Sequence, residues 1–176
     1  VYRTLIIEGQ EVLQEVELFE RPFDFEEQGR DVLVGIRQAG KSYLLYQRAK
    51  QLMEQGHAVQ EMVYINFDDE RFNNLKTEDL NIVLEILYKV YGNFKYLFLD
   101  EVQNIEGWHL FVNRLLRQQM HIIVTGSNAK LLSSELATHL TGRNEQIELY
   151  PFSFEEWCLC KNINTSSKTT KAEALR

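Results

Sequence analysis

Asp31-Val32-Leu33-Val34-Gly35-Ile36-Arg37-Gln38-Ala39-Gly40-Lys41-Ser42 is the stretch on which the fold turns. Its first half reads as an apolar, β-branched strand that breaks at once into a glycine turn. Leu44, Leu45, Arg48, Ala49, Leu52 and Met53 then recur at helical spacing, predicting an amphipathic helix that ends near Gly56. Between strand and helix, Gly35 to Ser42 satisfies G-x-x-x-x-G-K-[ST] without a mismatch. Phosphates are bulky and polyanionic, so such a loop must wrap them with backbone N–H groups, and glycine at both ends permits that path. The following helix aims its dipole and unpaired N–H groups at the same anion. Lys41 is expected to supply a mobile positive charge to the β- and γ-phosphates. The Ser42 hydroxyl completes part of the shell of magnesium, a hard cation that prefers oxygen. The predicted nucleotide-binding set is therefore Gly35, Ile36, Arg37, Gln38, Ala39, Gly40, Lys41, Ser42 and Tyr43. Arg37 reads either as a phosphate-facing charge or as a solvated loop residue.

Working outward, Met62 to Phe67 reads as a second strand. Thr77 is a predicted N-cap, with Glu78 and Asp79 in the first turn of a helix carrying Leu80, Val83, Leu84, Leu87 and Tyr91 on one face. Lys95 to Leu99 is a third strand that ends on Asp100-Glu101, and Leu110, Phe111, Leu115 and Leu116 mark the next helix. His121 to Thr125 is a fourth strand and Glu145 to Leu149 a fifth, while Ser153-x-x-Glu156 has the spacing of a capping box. Strands alternating with helices mean βαβ units, hence an α/β fold with a parallel sheet of about five strands covered on both faces. The first thirty residues have mixed periodicity and are assigned to no element.

An aliphatic strand ending in a carboxylate puts that group at the sheet's carboxyl edge, beside the phosphate loop. There Asp100 can hold magnesium through its water shell, and Glu101 can polarise a water for in-line attack on the γ-phosphate. The Asp-Glu pair points to nucleotide hydrolysis; a small-molecule kinase would not need the extra base. Ser127 and Asn128, after the fourth strand, are both candidates to sense the γ-phosphate, although Asn128 could equally cap the next helix. Arg143, following Gly142, is a candidate arginine finger, acting in cis or from a neighbour. No Asn-Lys-x-Asp guanine-reading element occurs, which tilts the choice of base toward adenine.

The chain has 176 residues, the size of one domain, with 44% hydrophobic and 26% charged residues, which excludes wholesale disorder. Its formal charge of −7 argues against a generic binder of nucleic acid or of anionic membranes. Cys158 and Cys160 are too few and too close for a disulfide framework or a zinc site. With no apolar run near the ~18 residues of a membrane span and no leader, the expected location is cytoplasmic. The expected organisation is a lead-in at 1–30, a nucleotide-binding domain at 31–160 and a polar tail at 161–176. The tail is read as a link to a missing C-terminal domain.

Taken in order, Gly35–Ser42, Tyr64-Ile65-Asn66-Phe67-Asp68-Asp69, Leu97-Phe98-Leu99-Asp100-Glu101-Val102-Gln103, Gly107-Trp108, Thr125-Gly126-Ser127, Gly142-Arg143 and Pro151-Phe152-Ser153-Phe154 resemble the prokaryotic AAA-like P-loop ATPases. The resemblance covers about residues 30–160. It implies a P-loop NTPase fold of the type with a strand inserted between the phosphate-loop and acidic strands. It further implies ATP and Mg2+ as cofactors, magnesium at Ser42 and Asp100, Glu101 as the water-activating acid, and a sensor after the fourth strand. Lys41 and Arg143 complete the implied catalytic set. Ile36 stands where such proteins often have proline and Ser42 where they often have threonine, and neither change should abolish binding, because the loop acts through its backbone. The family's nuclease-like C-terminal domain lies outside this chain. Two functions are expected: a magnesium-dependent ATP hydrolase that moves an attached domain or partner, or a nucleotide-binding regulatory module that hydrolyses only when a C-terminal domain or oligomeric neighbour completes it.

Overall fold

In the computed structural model, residues 1–25, 31–73, 75–127 and 145–163 are described. In chain order they form α1 (Tyr2–Glu15), β1 (Asp31–Val34), α2 (Lys41–Glu54), β2 (Met62–Asn66), α3 (Leu80–Tyr91), β3 (Tyr96–Asp100), α4 (Trp108–Arg117), β4 (His121–Gly126), β5 (Glu145–Glu148) and α5 (Phe154–Cys160). The strands make one parallel sheet in the order β2-β3-β4-β1-β5. β4 thus lies between β1, which runs into the phosphate loop, and β3, which ends on Asp100. This is the inserted-strand arrangement that the family resemblance implies. Because all the strands run the same way, the loop and the acids open on one edge of the sheet.

Side chains alternate across that sheet as the pleat requires. Val63, Ile65, Leu97, Leu99, Ile122 and Val124 face one core, closed by Leu80, Val83 and Leu87 of α3 and by Trp108, Phe111, Val112 and Leu115 of α4. Leu33, Met62, Phe98 and Ile123 face the other, closed by Leu44, Leu45, Ala49 and Leu52 of α2. Each such aliphatic side chain stabilises the fold by roughly 1.5–3 kcal/mol when fully buried.

The unassigned N-terminal stretch contributes α1, which packs against the edge strand β2 and shields a row of backbone groups that would otherwise invite pairing with another chain. Leu5 and Ile6 enter one core and Leu13 the other. The Tyr91 hydroxyl donates to the Ile6 carbonyl at 2.9 Å, and Gln10 Nε2 donates to the Val59 carbonyl at 2.9 Å. The helix approaches so closely at Gly9 that a Cβ there would sit 2.3 Å from the Tyr64 carbonyl oxygen. Mixed periodicity in the sequence follows from this double duty, since one helix feeds two cores.

Two local expectations are corrected. Thr77 is not an N-cap: residues Thr77–Asp79 form a 3-10 turn ahead of α3, and the Thr77 hydroxyl donates to the Glu106 carbonyl. The first-turn acid Asp79 accepts from the Lys76 N–H at 2.9 Å. Leu110 faces outward at 60% exposure, because the buried stripe of α4 runs through Trp108, Phe111, Val112, Leu115 and Leu116. Among the described residues no helix is long and apolar enough to cross a membrane.

Replacing Gly9 by valine should force α1 off β2. The expected cost is about 1–3 kcal/mol, as for other overpacked sites, read as a lower denaturant midpoint at unchanged slope. An unchanged midpoint would mean that α1 is not seated there.

Candidate functional site

The phosphate loop leaves β1 at Gly35, and the reason for glycine there lies behind the loop. A Cβ on Gly35 would meet the Leu149 carbonyl oxygen at 2.4 Å, where the Leu149 N–H donates to the Val34 carbonyl at 2.6 Å. Gly40 answers to conformation instead, with φ +91°, and Gln38 also turns left-handed at φ +64°. Gly40 is the N-cap of α2 and offers no side-chain acceptor, so the first-turn N–H groups are left for water or a ligand.

Lys41 is 4% exposed. Its Nζ donates to the Gly35 and Ile36 carbonyls, each at 3.1 Å, and lies 3.3 Å from Glu101 Oε1. An ammonium has three protons, and here it has three acceptors. The expected mobile charge is therefore tethered, because a desolvated ammonium cannot be left unpaired.

Asp100, 1% exposed, is gripped on both oxygens. The Tyr64 hydroxyl donates to Oδ2 at 2.8 Å and the Thr125 hydroxyl donates to Oδ1. Thr125 Oγ1 in turn accepts the Glu101 N–H at 3.0 Å, and the Tyr46 hydroxyl donates to that of Tyr64 at 2.9 Å. Glu101 itself is left-handed at φ +51°, a conformation that costs an L-residue on the order of 1–2 kcal/mol. Its carboxylate is held between Lys41 and Gln103, whose Nε2 donates to Oε2 at 2.6 Å. Burial first, and then the charge of Asp100, push the Tyr64 phenol far above its ordinary pKa; burial also raises that of Tyr46. Both stay protonated and remain donors. Sequence reasoning missed Tyr46, Tyr64, Thr125 and Gln103 as parts of the site. The available signal was a hydroxyl-bearing residue in each of two otherwise apolar strands.

Arg37, Gln38, Ser42, Asn66, Asp68, Asp100 and Glu101 line one cleft of about 360 Å³. Arg37 lies 3.6 Å from Asp68 across its mouth, so it faces the cleft and not bulk solvent alone. Ser42 and Asp100 share the cleft, and the hydroxyl and carboxylate oxygens of its lining are the hard donors that magnesium takes. Ser127 follows β4 directly and is half-buried, and the described lining does not include it. Asn128, Gly142 and Arg143 lie outside the described residues.

Residues 30–158 match the AAA domain family. This chain belongs to that family of P-loop ATPases. Among its relatives are two uncharacterized proteins. MJ1544 of Methanocaldococcus jannaschii is 40% identical over 148 residues, covering 82% of this chain and 32% of that protein. One from Haemophilus influenzae is 38% identical over 139 residues, covering 78% and 35%. The chain thus spans about a third of the length of the curated relatives it matches. In fold it is similar to the Saccharomyces cerevisiae Hsp104–ADP complex, with a TM-score of 0.58 at 16% identity over 92% of this chain and 24% of that one. A closed-state Hsp104 with ATPγS and FITC-casein has a TM-score of 0.55 at 15% identity, covering 89% and 28%.

A second hollow in the AAA domain, of about 350 Å³, adjoins the loop at Gly40 and is walled by Phe19, Tyr43, Gln47 and Phe152. Arg21 holds these walls together. Its backbone exchanges hydrogen bonds with the Gln47 amide, at 2.9 and 2.8 Å. Its guanidinium donates to the carbonyls of Ala39 and Tyr150 at 3.2 and 3.1 Å, and stands 5.0 Å over the Phe152 ring. Arg21 Nε also donates to Glu156 Oε1 at 2.8 Å, tying the lead-in segment to α5, where Ser153 and Glu156 form the expected capping box.

Burial raises the pKa of Glu156, but hydrogen bonds from Arg21 and Ser153 outweigh it and hold the carboxyl below its ordinary range. A depressed folded-state pKa gives stability that is complete above the unfolded value, about 4.3 for Glu, and is lost as pH falls through the folded value. The melting temperature of Glu156→Gln should therefore fall less steeply on acidification below about pH 4.3 than that of the wild type. Parallel curves would remove this pair from the acid response.

Proposed function

We propose that this AAA domain binds ATP with magnesium and hydrolyses it, and that the turnover moves an attached domain or partner. The observation that carries the reading is the convergence of Ser42, Asp100 and Glu101 on one cleft beside the loop, with Lys41 Nζ 3.3 Å from Glu101 behind it. The loop N–H groups and Lys41 bind the phosphates, and the ammonium exchanges its carbonyl and carboxylate partners for phosphate oxygens. Glu101, released from Lys41, takes a proton from the water that attacks the γ-phosphorus in line, as the bond to ADP breaks. Ser42, and Asp100 through water, would hold magnesium, which would supply charge neutralisation to the phosphates. Arg37 adds a cation at the cleft mouth, Ser127 or Asn128 reports the γ-phosphate, and Arg143 offsets transition-state charge. The hollow beside Gly40 suits the base, which the lack of a guanine-reading element tilts toward adenine: its size falls in the usual range for ligand pockets, and Phe19 and Phe152 offer aromatic edges. That the relatives run about three times as long as the matched part supports an attached domain as the moving partner, with residues 31–160 as the ATPase unit.

A second reading, a nucleotide-binding regulatory module with negligible turnover by itself, is favoured by one contact. Lys41 neutralises the proposed base, so hydrolysis waits on whatever separates the two groups.

ATP at 100 times its dissociation constant should stabilise the wild type by about 2.7 kcal/mol. Lys41→Ala should lose most of that shift. Glu101→Gln should keep it while phosphate release slows by roughly 10²–10⁴-fold. Unchanged release would take Glu101 out of the mechanism, and wild-type binding without any release would favour the regulatory reading.

A further inference from the structure

We propose that Tyr64, backed by Tyr46, is a positioning residue for the metal-holding carboxylate, a two-hydroxyl relay that sets how tightly this domain holds magnesium with its nucleotide. The proposal rests on the ATP-and-magnesium reading above and adds to it a determinant outside the phosphate loop and the strand-end acids.

The hydrogen-bond directions around Asp100 are forced. A carboxylate only accepts, so the protons of Tyr64 and Thr125 both point at it. With its proton committed, the Tyr64 oxygen is left as an acceptor, and Tyr46 fills it from α2 at 2.9 Å. Thr125, likewise committed, accepts the Glu101 N–H. The chain of bonds runs from α2 through β2 to the end of β3 and on to β4, and every donor in it is aimed toward Asp100. Each oxygen of Asp100 thus spends one lone pair on a hydroxyl and keeps the other for the cleft, which fixes the tilt of the carboxylate.

Packing alone does not account for a tyrosine at this position. Tyr64 is 4% exposed, on the α2 face of the sheet among Leu33, Met62 and Phe98, where phenylalanine would fill the same volume. A buried hydroxyl carries a desolvation cost that its partner must offset, and the partner here is the carboxylate at the strand end. The other end of the relay is equally specific. Tyr46 stands one helical turn beyond Ser42, so the two share a face of α2. One helix therefore presents the proposed metal hydroxyl and, four residues on, the hydroxyl that steadies the opposing acid. The two halves of the magnesium site are thus joined through Tyr46 and Tyr64 as well as through the Lys41–Glu101 contact.

Partners that orient ligating carboxylates typically affect metal affinity by 10–100-fold. In the full-length protein carrying Tyr64→Phe, the Mg2+ concentration at half-maximal binding of a fluorescent ATP analogue should rise by about tenfold or more. The Mn2+ dissociation constant, read by electron paramagnetic resonance with ATP present, should rise in parallel. Binding of the same analogue in EDTA should stay at the wild-type value, because the loop and Lys41 are untouched. Tyr46→Phe, one bond farther away, should shift the metal midpoint in the same direction by less. Thermal melting of both variants monitors folding. Wild-type metal midpoints in both variants, whatever their melting temperatures, would overturn the relay and leave the tyrosines as packing. A wild-type protein that bound no nucleotide at any metal concentration would overturn the underlying reading and the relay with it, so the two failures are told apart by the wild-type arm.

Discussion

A buried ammonium must find three acceptors, and the geometry of this site follows from where Lys41 finds them. Two are carbonyls of its own loop and the third is the carboxylate at the end of β3. Because the lysine is almost wholly desolvated, these contacts cannot be given up unless something equally anionic replaces them. That single requirement ties the lysine to its own loop and to Glu101, whose backbone is left-handed. It also suits the loop to an anion of comparable strength, such as a nucleotide's phosphates.

Strand order sets how that lysine and carboxylate meet. With β4 between β1 and β3, the loop and the acids stand two strands apart, and Thr125 of β4 lies between them in register to hold both Asp100 and the Glu101 backbone. A sheet pairing β1 directly with β3 would leave that hydroxyl elsewhere. Parallel strands put their C-terminal ends on one side, and the helices follow, so α2 carries Ser42 and Tyr46 toward the same edge. The site is a product of topology as much as of motif.

Segments far from the motifs finish the architecture. α1 shields the edge strand that contains Tyr64, and Arg21 joins the lead-in to the phosphate loop at Ala39 and, more than a hundred residues on, to Tyr150 and to Glu156 of α5. Neither was legible in the sequence. A helix that feeds two cores has no clean periodicity, and a lone arginine outside any element carries no local signature of the partners it will find.

What the sequence determined alone was what depends on neighbours along the chain. The strand–loop–helix at 31–54, the strands at 62, 96, 121 and 145, the capping box of α5 and the α/β class all follow from periodicity, turn chemistry and short-range hydrogen bonding. The inserted-strand order was legible only through the family resemblance. Tertiary structure decided the rest: that Gly35 is required by Leu149, that Lys41 is tethered, and that Tyr46, Tyr64 and Thr125 converge on Asp100. The physical reason is range. Backbone propensity acts over a few residues, whereas burial makes a polar group seek whatever partner the sheet's order brings within 3 Å, and sequence spacing does not encode that order.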